Sequence, residues 1–200
     1  MSSADFWLTT LLRLGVDAGV AARWADVFDV VLAEKYKEGK SVVDDDWFIS
    51  RKLDGVRVIA MRKKDTVEFY SRTGKPIHTL GKLIPEIMSG FSEGDVLDGE
   101  VCLLSGDEED FQGIVSEIRK KNHTIQYPKY MVFDWITEDI FYGMEDSDVF
   151  STRYGRLVDK FSPGDFGCWE PRKLELVEQK RYSEWHLKEM RILARESGWE

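Results

Sequence analysis

The residues whose types and spacing are best suited to catalysis form the sequence KLDGVR, at positions 52–57. Lys52 can attack phosphorus once its amine has lost a proton, and neighbouring cations such as Arg51 and Arg57 favour that loss. Gly55 lets the backbone approach a ligand closely, and the guanidinium of Arg57 can take up phosphate charge. This spacing predicts phosphoryl or nucleotidyl transfer through a covalent lysine. For these six residues alone, a tight turn before an apolar strand explains the sequence equally well.

Three further segments place polar or aromatic side chains within or at the ends of predicted strands. Arg72 follows one strand in the sequence SRTG, and Glu100 interrupts an apolar run in the sequence DGE. A carboxylate on a buried strand is costly without a partner, so Glu100 is predicted to face a ligand hydroxyl or a cation. Phe133 can stack on a base, beside Asp134, which can hold a metal or a lysine. Taken singly, each also fits a structural role, as a bulge, core or surface residue.

The periodicity of apolar residues predicts the elements that position these side chains. Helical spacing predicts two helices over residues 4–38 and further helices over 80–87, 111–121, 152–161 and 182–196. Runs of β-branched and aromatic residues predict strands over 56–61, 67–70, 96–104 and 130–136. Hairpins rather than regular βαβ units connect these strands. The predicted fold class is therefore α+β, with a largely antiparallel sheet.

The composition limits the classes of protein to which the chain can belong. Its net charge is −9, so nucleic acid is not held by bulk electrostatics and any such contact must be local. No apolar stretch is long enough to span a bilayer, and the cysteines, Cys102 and Cys168, have no partner spacing. We therefore expect a cytoplasmic protein with reduced thiols and no membrane association.

The remaining charged clusters are interpreted as structural. Three basic runs are read as solvated surface: Arg62–Lys64, Arg119–Lys121 and Arg172–Lys173. The acidic run Asp107–Asp110 directly precedes a predicted helix and is read as a loop and N-terminal cap. Arg153 and Arg156 lie on a predicted helix, where we expect surface ion pairs.

Taken in order, the chemical segments resemble the nucleotidyltransferase domain of ATP-dependent DNA ligases, most closely the compact phage type. The resemblance rests on KLDGVR at 52–57, SRTG at 71–74, DGE at 98–100, YMVFD at 130–134 and GWE at 198–200. It implies an ATP-grasp-like nucleotidyltransferase domain over residues 45–200, preceded by a helical segment over residues 1–40. The lysine motif is shared with mRNA capping enzymes, so it identifies the superfamily rather than the member.

The resemblance also implies a role for each matched residue. Lys52 would attack the α-phosphate of ATP, carry AMP, and pass it to the 5′-phosphate of a nick in duplex DNA during replication, repair or recombination. The other matched residues would surround the nucleotide: Arg51, Asp54, Gly55, Arg57 and Arg72 near phosphate charge, Glu100 at the ribose, Phe133 on adenine, and Asp134 and Glu200 at Mg²⁺. We expect the protein to act as a monomer.

Two features depart from the family pattern. Many members carry Glu or Gln two residues before the lysine to read the adenine edge, whereas this chain has Ser50. The sequence stops at Glu200, where the family continues with a Lys-x-Lys motif and usually an OB-fold domain, so we expect an adenylation domain that is incomplete at its C-terminus. Three alternatives stay open at this point: an mRNA capping guanylyltransferase, an RNA ligase, and a non-catalytic fragment that binds a nucleotide or a nick.

Overall fold

Strand pairing organises the part of the chain that the computed structural model describes, which comprises residues 46–105, 108–162 and 172–197. The nine strands of these residues are β1 (Phe48–Ser50), β2 (Val56–Arg62), β3 (Val67–Ser71), β4 (Asp95–Cys102), β5 (Leu104–Ser105), β6 (Glu108–Glu109), β7 (Lys129–Thr137), β8 (Leu174–Leu176) and β9 (Gln179–Arg181). The α-helices of the described residues are α1 (Ile84–Gly90), α2 (Phe111–Arg119), α3 (Glu138–Phe141), α4 (Phe150–Lys160) and α5 (Glu184–Ser197), and a short 3-10 helix (Gly81–Leu83) precedes α1. The helical segment predicted for residues 1–40 lies outside the described residues.

Five strands form the central sheet, in the order β3-β2-β4-β7-β8. Neighbouring strands pair antiparallel except for β7 and β8, which are parallel. The predicted hairpin connects β2 and β3, and the Lys63 N–H donates to the Thr66 carbonyl at 2.9 Å across its turn. The prediction of an α+β fold with a largely antiparallel sheet is confirmed.

The main apolar core lies on one face of this sheet. Alternate residues of β2 and β4 are fully buried there, namely Val58, Ala60, Leu97 and Val101. They pack with the apolar sides of α1, α2 and α4. Because side chains alternate between the two faces of a strand, the residues between them point to the opposite face. That arrangement carries the polar residues of β2 and β4 away from the core.

Tyr130 of β7 connects three strands from inside the core. Its hydroxyl lies 2.9 Å from the carbonyl oxygens of both Val58 and Leu97, which share its one proton. Gly99 leaves room for the ring, because a Cβ at that position would lie 2.7 Å from a ring carbon of Tyr130. Removal from water raises the pKa of Tyr130 well above its ordinary value. The hydroxyl therefore stays neutral and acts as a hydrogen-bond donor.

Local sequence signals determine where α1 and α2 begin. Pro85 lies in the first turn of α1, where its missing N–H costs no helical hydrogen bond. Asp110 caps α2 by accepting a hydrogen bond from the Gly113 N–H at 2.8 Å, which confirms the predicted cap. Among the described residues, no helix combines the length and the apolar character needed to cross a membrane.

A second, two-stranded sheet pairs β1 with β9 and is not predicted from the sequence. Phe48 of β1 contacts the rings of Phe150 and Tyr154 edge-on, with centroid distances of 5.0 and 5.8 Å. The Tyr154 hydroxyl accepts a hydrogen bond from the Gln179 N–H of β9 at 2.8 Å. These contacts fix the strand that leads towards Lys52 against α4.

Candidate functional site

Lys52 lies in the loop between β1 and β2. Its side chain is 65% exposed, and its Nζ lies 3.3 Å from Oδ1 of Asp54, whose side chain is 49% exposed. A lysine this exposed can reach a ligand that binds beside the loop. Because an amine paired with a carboxylate carries a proton, nucleophilic attack first requires loss of that proton.

Gly55 is required at the end of this loop by its contact with β4. A Cβ built on Gly55 would lie 2.5 Å from the Val101 carbonyl oxygen and 2.7 Å from Glu100 Cγ. Contacts this short do not occur between real atoms, so another residue would displace the loop. The backbone N–H of Gly55 acts to lower the pKa of Glu100, against the effect of burial. The close approach that we expected for Gly55 is thus made to β4, and its approach to a ligand stays a prediction.

Glu109 of β6 holds the lysine loop on both sides of Lys52. Its Oε2 accepts a hydrogen bond from the Asp54 N–H at 2.7 Å, and its Oε1 lies 3.1 Å from Arg51 Nη2. The Glu109 side chain is only 8% exposed, so water and salt screen this ion pair little. One carboxylate therefore connects the residue before Lys52 with the second residue after it.

A row of four charges, Arg57, Asp98, Asp134 and Arg153, crosses the face of the central sheet that lies opposite the main core. We call the part of the sheet around this row the polar face. Arg57 donates to both oxygens of Asp98, from Nε at 2.9 Å and from Nη2 at 2.6 Å. Asp98 is the direct neighbour of Asp134 across β4 and β7. Asp134 in turn accepts from Nε and Nη2 of Arg153, at 3.0 and 2.8 Å. Two carboxylates can therefore lie side by side because each has a bidentate arginine partner.

Burial and charge oppose each other at Asp98 and Arg57. Removal from water raises the pKa of the Asp98 carboxyl, while the hydrogen bonds and charge of Arg57 act to lower it. For Arg57, burial acts to lower the pKa, but its hydrogen bonds to Asp98 and the negative charges around it raise the pKa above its ordinary value. Arg57 thus carries a permanent positive charge that depends on Asp98 for its position.

A β-bulge brings Phe133 to the same face as Asp134. The pairing of β4 with β7 shifts register between Asp98 and Gly99, which leaves Phe133 as the additional residue of β7. The Arg57 guanidinium lies 5.3 Å from the centroid of the Phe133 ring. A partly buried aromatic ring and a cation therefore border the row of charges.

Glu100 lies opposite Arg57 in the pairing of β2 with β4. Removal from water raises the pKa of Glu100 to about 7, against the charge of Arg57, which acts to lower it. The charge of Asp98 adds to the increase. Glu100 is thus a carboxyl group that changes protonation near neutral pH, next to the lysine loop.

We expect the pKa of Glu100 to make stability depend on pH. Its pKa is raised above the ordinary value of 4.5, so the folded state binds more protons than the unfolded state at intermediate pH. The contribution of Glu100 to the free energy of unfolding is present in full below about pH 4.5, and it is lost as the pH rises through about 7. Relative to Glu100→Gln, the wild-type chain should lose on the order of 1 kcal/mol of unfolding free energy between about pH 5 and about pH 8. Urea unfolding at both values measures this, and equal losses in the two proteins would contradict it.

Arg72 lies in the turn that follows β3, and its side chain is exposed. Gly74 completes the turn with a φ of +71°, and its N–H donates to the Ser71 carbonyl at 2.9 Å. Ser71 pairs with Val58, so the next residue lies at the same end of the sheet as Arg57. The structure therefore places Arg72 at the edge of the polar face with its side chain exposed, and its contact with a phosphate stays a prediction.

Two residues predicted to place a metal differ in what the structure shows of them. Glu200 lies outside the described residues. Asp134 lies on the polar face, but both of its oxygens accept hydrogen bonds from Arg153. Within the described residues, no group of three or more His, Cys, Asp or Glu side chains is arranged to hold a metal ion. The metal role of Asp134 and Glu200 stays a prediction.

Sequence reasoning missed three residues that organise this region. Glu109 belongs to the acidic run that we interpreted as a loop and cap. Among the described residues of this run, Asp110 is the cap, whereas Glu108 and Glu109 form β6. Gln179 Nε2 donates to the Phe133 carbonyl at 2.8 Å, and nothing in the sequence of the short strand β9 indicates this role. The third is Arg153, whose position in its helix indicates that the side chain faces inward.

Arg153 and Arg156 differ in environment although we expected both to form surface ion pairs. Arg156 lies 2.6 Å from Asp148, and both side chains are about half exposed, which confirms the expectation. Arg153 is only 16% exposed, and its partner is Asp134 of the polar face. In sequence, Arg153 follows Phe150 by three residues and precedes Leu157 by four, which places it on the inner stripe of α4. That spacing was the signal for an inward arginine.

Comparison with known proteins identifies the family. The family model for the ATP-dependent DNA ligase domain matches residues 30–162, more than half of the chain, which includes Lys52, Arg72 and Asp134. The chain belongs to this family. The resemblance drawn from the lysine motif and the segments that follow it is confirmed. Glu200 lies beyond the matched residues.

Individual relatives agree with this assignment. The SPbeta prophage-derived DNA ligase-like protein LigB of Bacillus subtilis (strain 168) is 31% identical over 100 residues, which cover 48% of this chain and 35% of LigB. The solved structure of Pmar-Lig_Pre has a TM-score of 0.60 and 25% identity, over 76% of this chain and 36% of that one. A Lig E DNA ligase structure has a TM-score of 0.56 and 18% identity, over 86% and 59% of the two chains, and shows the shared fold alone. The chain spans about a third of the length of LigB and Pmar-Lig_Pre.

Proposed function

We propose that this ligase domain forms a covalent lysine-AMP at Lys52 and transfers the AMP to the 5′-phosphate of a nick in duplex DNA. The observation that carries the proposal is the close packing of the exposed Lys52 loop, at Gly55, against Glu100 on a sheet face that bears Arg57 and Phe133. Membership of the ATP-dependent DNA ligase family supports ATP as the nucleotide.

Three displacements at phosphorus make up the proposed reaction. The deprotonated Nζ of Lys52 attacks the α-phosphorus of ATP, so that a nitrogen–phosphorus bond forms while the bond to pyrophosphate breaks. An oxygen of the 5′-phosphate at the nick then attacks the same phosphorus, and the nitrogen–phosphorus bond breaks to release the lysine. In the last step the 3′-hydroxyl loses its proton and attacks the 5′-phosphate, and AMP leaves.

The side chains of the polar face have separate tasks in this proposal. Arg57, fixed by Asp98, adds positive charge where the phosphates gain negative charge. Phe133 offers aromatic surface to the adenine, and Glu100 accepts hydrogen bonds from the ribose hydroxyls. The exposed Arg72 meets a phosphate of the nucleotide or of the nicked strand.

We propose that magnesium enters together with ATP. Mg²⁺ prefers oxygen ligands and commonly binds through one or two carboxylates, phosphate oxygens and waters. Asp134 fits such a donor set as a carboxylate on the polar face, provided that Arg153 releases it, and Glu200 is the second predicted carboxylate. The ion would supply positive charge that stabilises the phosphates during transfer.

A labelling experiment tests the proposed activity. The chain is incubated with Mg²⁺ and α-labelled ATP or GTP, denatured, and examined for label that remains on the protein. We expect retained AMP and no retained GMP, and release of the AMP on addition of nicked duplex DNA. Retained GMP would instead support a capping guanylyltransferase, and release by nicked RNA alone would support an RNA ligase. No retained label from either nucleotide would contradict catalysis by this chain.

The contacts of Glu109 predict a positioning effect on this reaction. Glu109→Gln removes the charge that pairs with Arg51 and weakens the hold on the lysine loop, so the rate of AMP labelling at saturating ATP should fall about tenfold. Glu108→Gln is the matched control, because the neighbouring side chain on the same strand is exposed, and its labelling rate should not change. Equal rates in the two variants would show that Glu109 does not position Lys52.

A further inference from the structure

A cleft borders the central sheet between the loop that follows β3 and the loop that follows α2. Its walls are residues 76–79 and 118–124, and its lining includes five basic or imidazole side chains: His78, Arg119, Lys120, Lys121 and His123. The Ile125 N–H donates to the Thr79 carbonyl at 2.9 Å and ties the two walls together. We interpreted the run Arg119–Lys121 from sequence as solvated surface, but here it forms one wall of a defined cleft.

Both walls come from stretches of sequence that contain no carboxylate. Residues 69–85 and 118–133 have no Asp or Glu, although 37 of the 200 residues of the chain are acidic. The first stretch contains Arg72, Lys75 and Lys82, and the second contains Arg119, Lys120, Lys121 and Lys129. In a chain with a net charge of −9, the two walls of the cleft are therefore a local concentration of positive charge, whereas Lys129 pairs with Glu175 outside the cleft.

Part of this positive charge is not paired with a carboxylate of the described residues. Glu117 pairs with both Lys120 and His123. Arg119 and Lys121 are exposed, and neither forms an ion pair with any carboxylate of residues 46–105, 108–162 and 172–197. These two cations can therefore bind an anion without first breaking a contact of that kind.

Thr79 provides an independent indication of a ligand in the cleft. The residue is 2% exposed, and its hydroxyl oxygen is buried without a hydrogen-bond partner among the described residues. Buried hydroxyl groups are normally satisfied, and an exception calls for a water or a ligand. Thr79 also lines the cleft, so this unsatisfied hydroxyl belongs to the cleft wall.

We propose that the cleft binds the phosphate backbone of duplex DNA as a second contact of the ligase domain, beside the turn of Arg72. The segment from Arg72 to His78 folds back along β3, where the Ile77 N–H donates to the Phe69 carbonyl at 2.8 Å. Arg72 and His78 thus lie on one short segment at the edge of the sheet. In this proposal, one DNA strand contacts Arg72 and then the cleft wall that contains Arg119 and Lys121. The identity of the anion as DNA rests on the proposed function.

A charge-neutral double variant tests the cleft. Arg119→Gln with Lys121→Gln should weaken binding of a fluorescent nicked duplex about tenfold at low salt, measured by anisotropy. The slope of log affinity against log salt should become shallower by about 2, because two phosphate contacts are lost. Lys188→Gln with Arg191→Gln is the matched control, since these exposed residues of α5 give the same change in net charge, and it should reduce affinity less than twofold.

Measurements without DNA separate this proposal from the proposed function. Both double variants should be labelled by ATP at the wild-type rate, since neither changes the polar face. Equal DNA affinities in the two double variants would contradict DNA binding by the cleft and would not affect the proposed lysine-AMP chemistry. Weaker ATP binding in the cleft variant would show that the cleft takes free nucleotide phosphates, and would also overturn the proposal. A selective loss of DNA affinity in chains that take no label would support the cleft and reject lysine transfer.

Discussion

Lys52→Ala is expected to abolish lysine-linked AMP, reducing retained label by at least about three orders of magnitude. The variant removes the atom that would bond to phosphorus, and no hydrogen bond or charge can replace that bond. The Lys52 side chain is largely exposed, so the substitution should change the unfolding free energy by less than about 0.5 kcal/mol. Labelling with α-labelled ATP and urea unfolding of the same protein measure both effects.

Two further variants separate the nucleophile from its charge. Lys52→Arg keeps a cation near Asp54, but a guanidinium does not lose its proton at neutral pH, so this variant should also take no label. Lys64→Ala removes an exposed lysine from the hairpin between β2 and β3 and should label at the wild-type rate. Label that persists in Lys52→Ala would show that another residue carries the nucleotide.

Arg57→Gln is expected to reduce both stability and activity. Without Arg57, Asp98 remains in the sheet with no bidentate partner and beside the carboxylate of Asp134. Removing one member of a buried ion pair is costly, and we expect a loss of about 2–3 kcal/mol in unfolding free energy. The rate of AMP labelling should fall at least about a hundredfold, because the cation over Phe133 is lost as well.

The chain contains a matched control for Arg57. Arg156 and Asp148 are also an arginine and an aspartate 2.6 Å apart, but their side chains are 52% and 53% exposed. Exposed pairs of this kind contribute between 0 and about 1 kcal/mol, so Arg156→Gln should have little effect on urea unfolding and none on labelling. Equal losses in the two variants would mean that burial of the pair on the polar face has no special role.

Sequence reasoning succeeded where the signal was local. The sequences of β2, β4 and β7 each have their own alternating pattern of residues. Asp110 is next to the helix that it caps. The lysine motif and the segments after it also occur as short, ordered runs. These features are set by neighbours in the chain, so they can be predicted without knowing the fold.

The contacts that the sequence did not predict join distant residues. Glu109 meets Asp54 across 55 positions, and β1 pairs with β9 although each strand has only three residues. The bulge at Phe133 depends on the register between β4 and β7, which no single strand encodes. Such features arise from packing, and only the folded chain reveals them.

Arg153 links the observed site to the proposed use of magnesium. It donates to both oxygens of Asp134 and also to the Ser147 hydroxyl at 2.9 Å. A metal ligand role for Asp134 therefore requires movement of Arg153 and of the segment that holds it. The described geometry is thus that of a charge-balanced face, beside which the Lys52 side chain is 65% exposed.

The measurement that tests the central claim most directly is the position of the nucleotide on the protein. The chain is incubated with ATP and Mg²⁺, digested, and its peptides are examined by mass spectrometry for a covalent AMP. We predict a single adenylated peptide that contains Lys52, with fragment ions that place the AMP on this lysine. AMP on a different residue, or on no residue while nicked DNA is still sealed, would contradict the account.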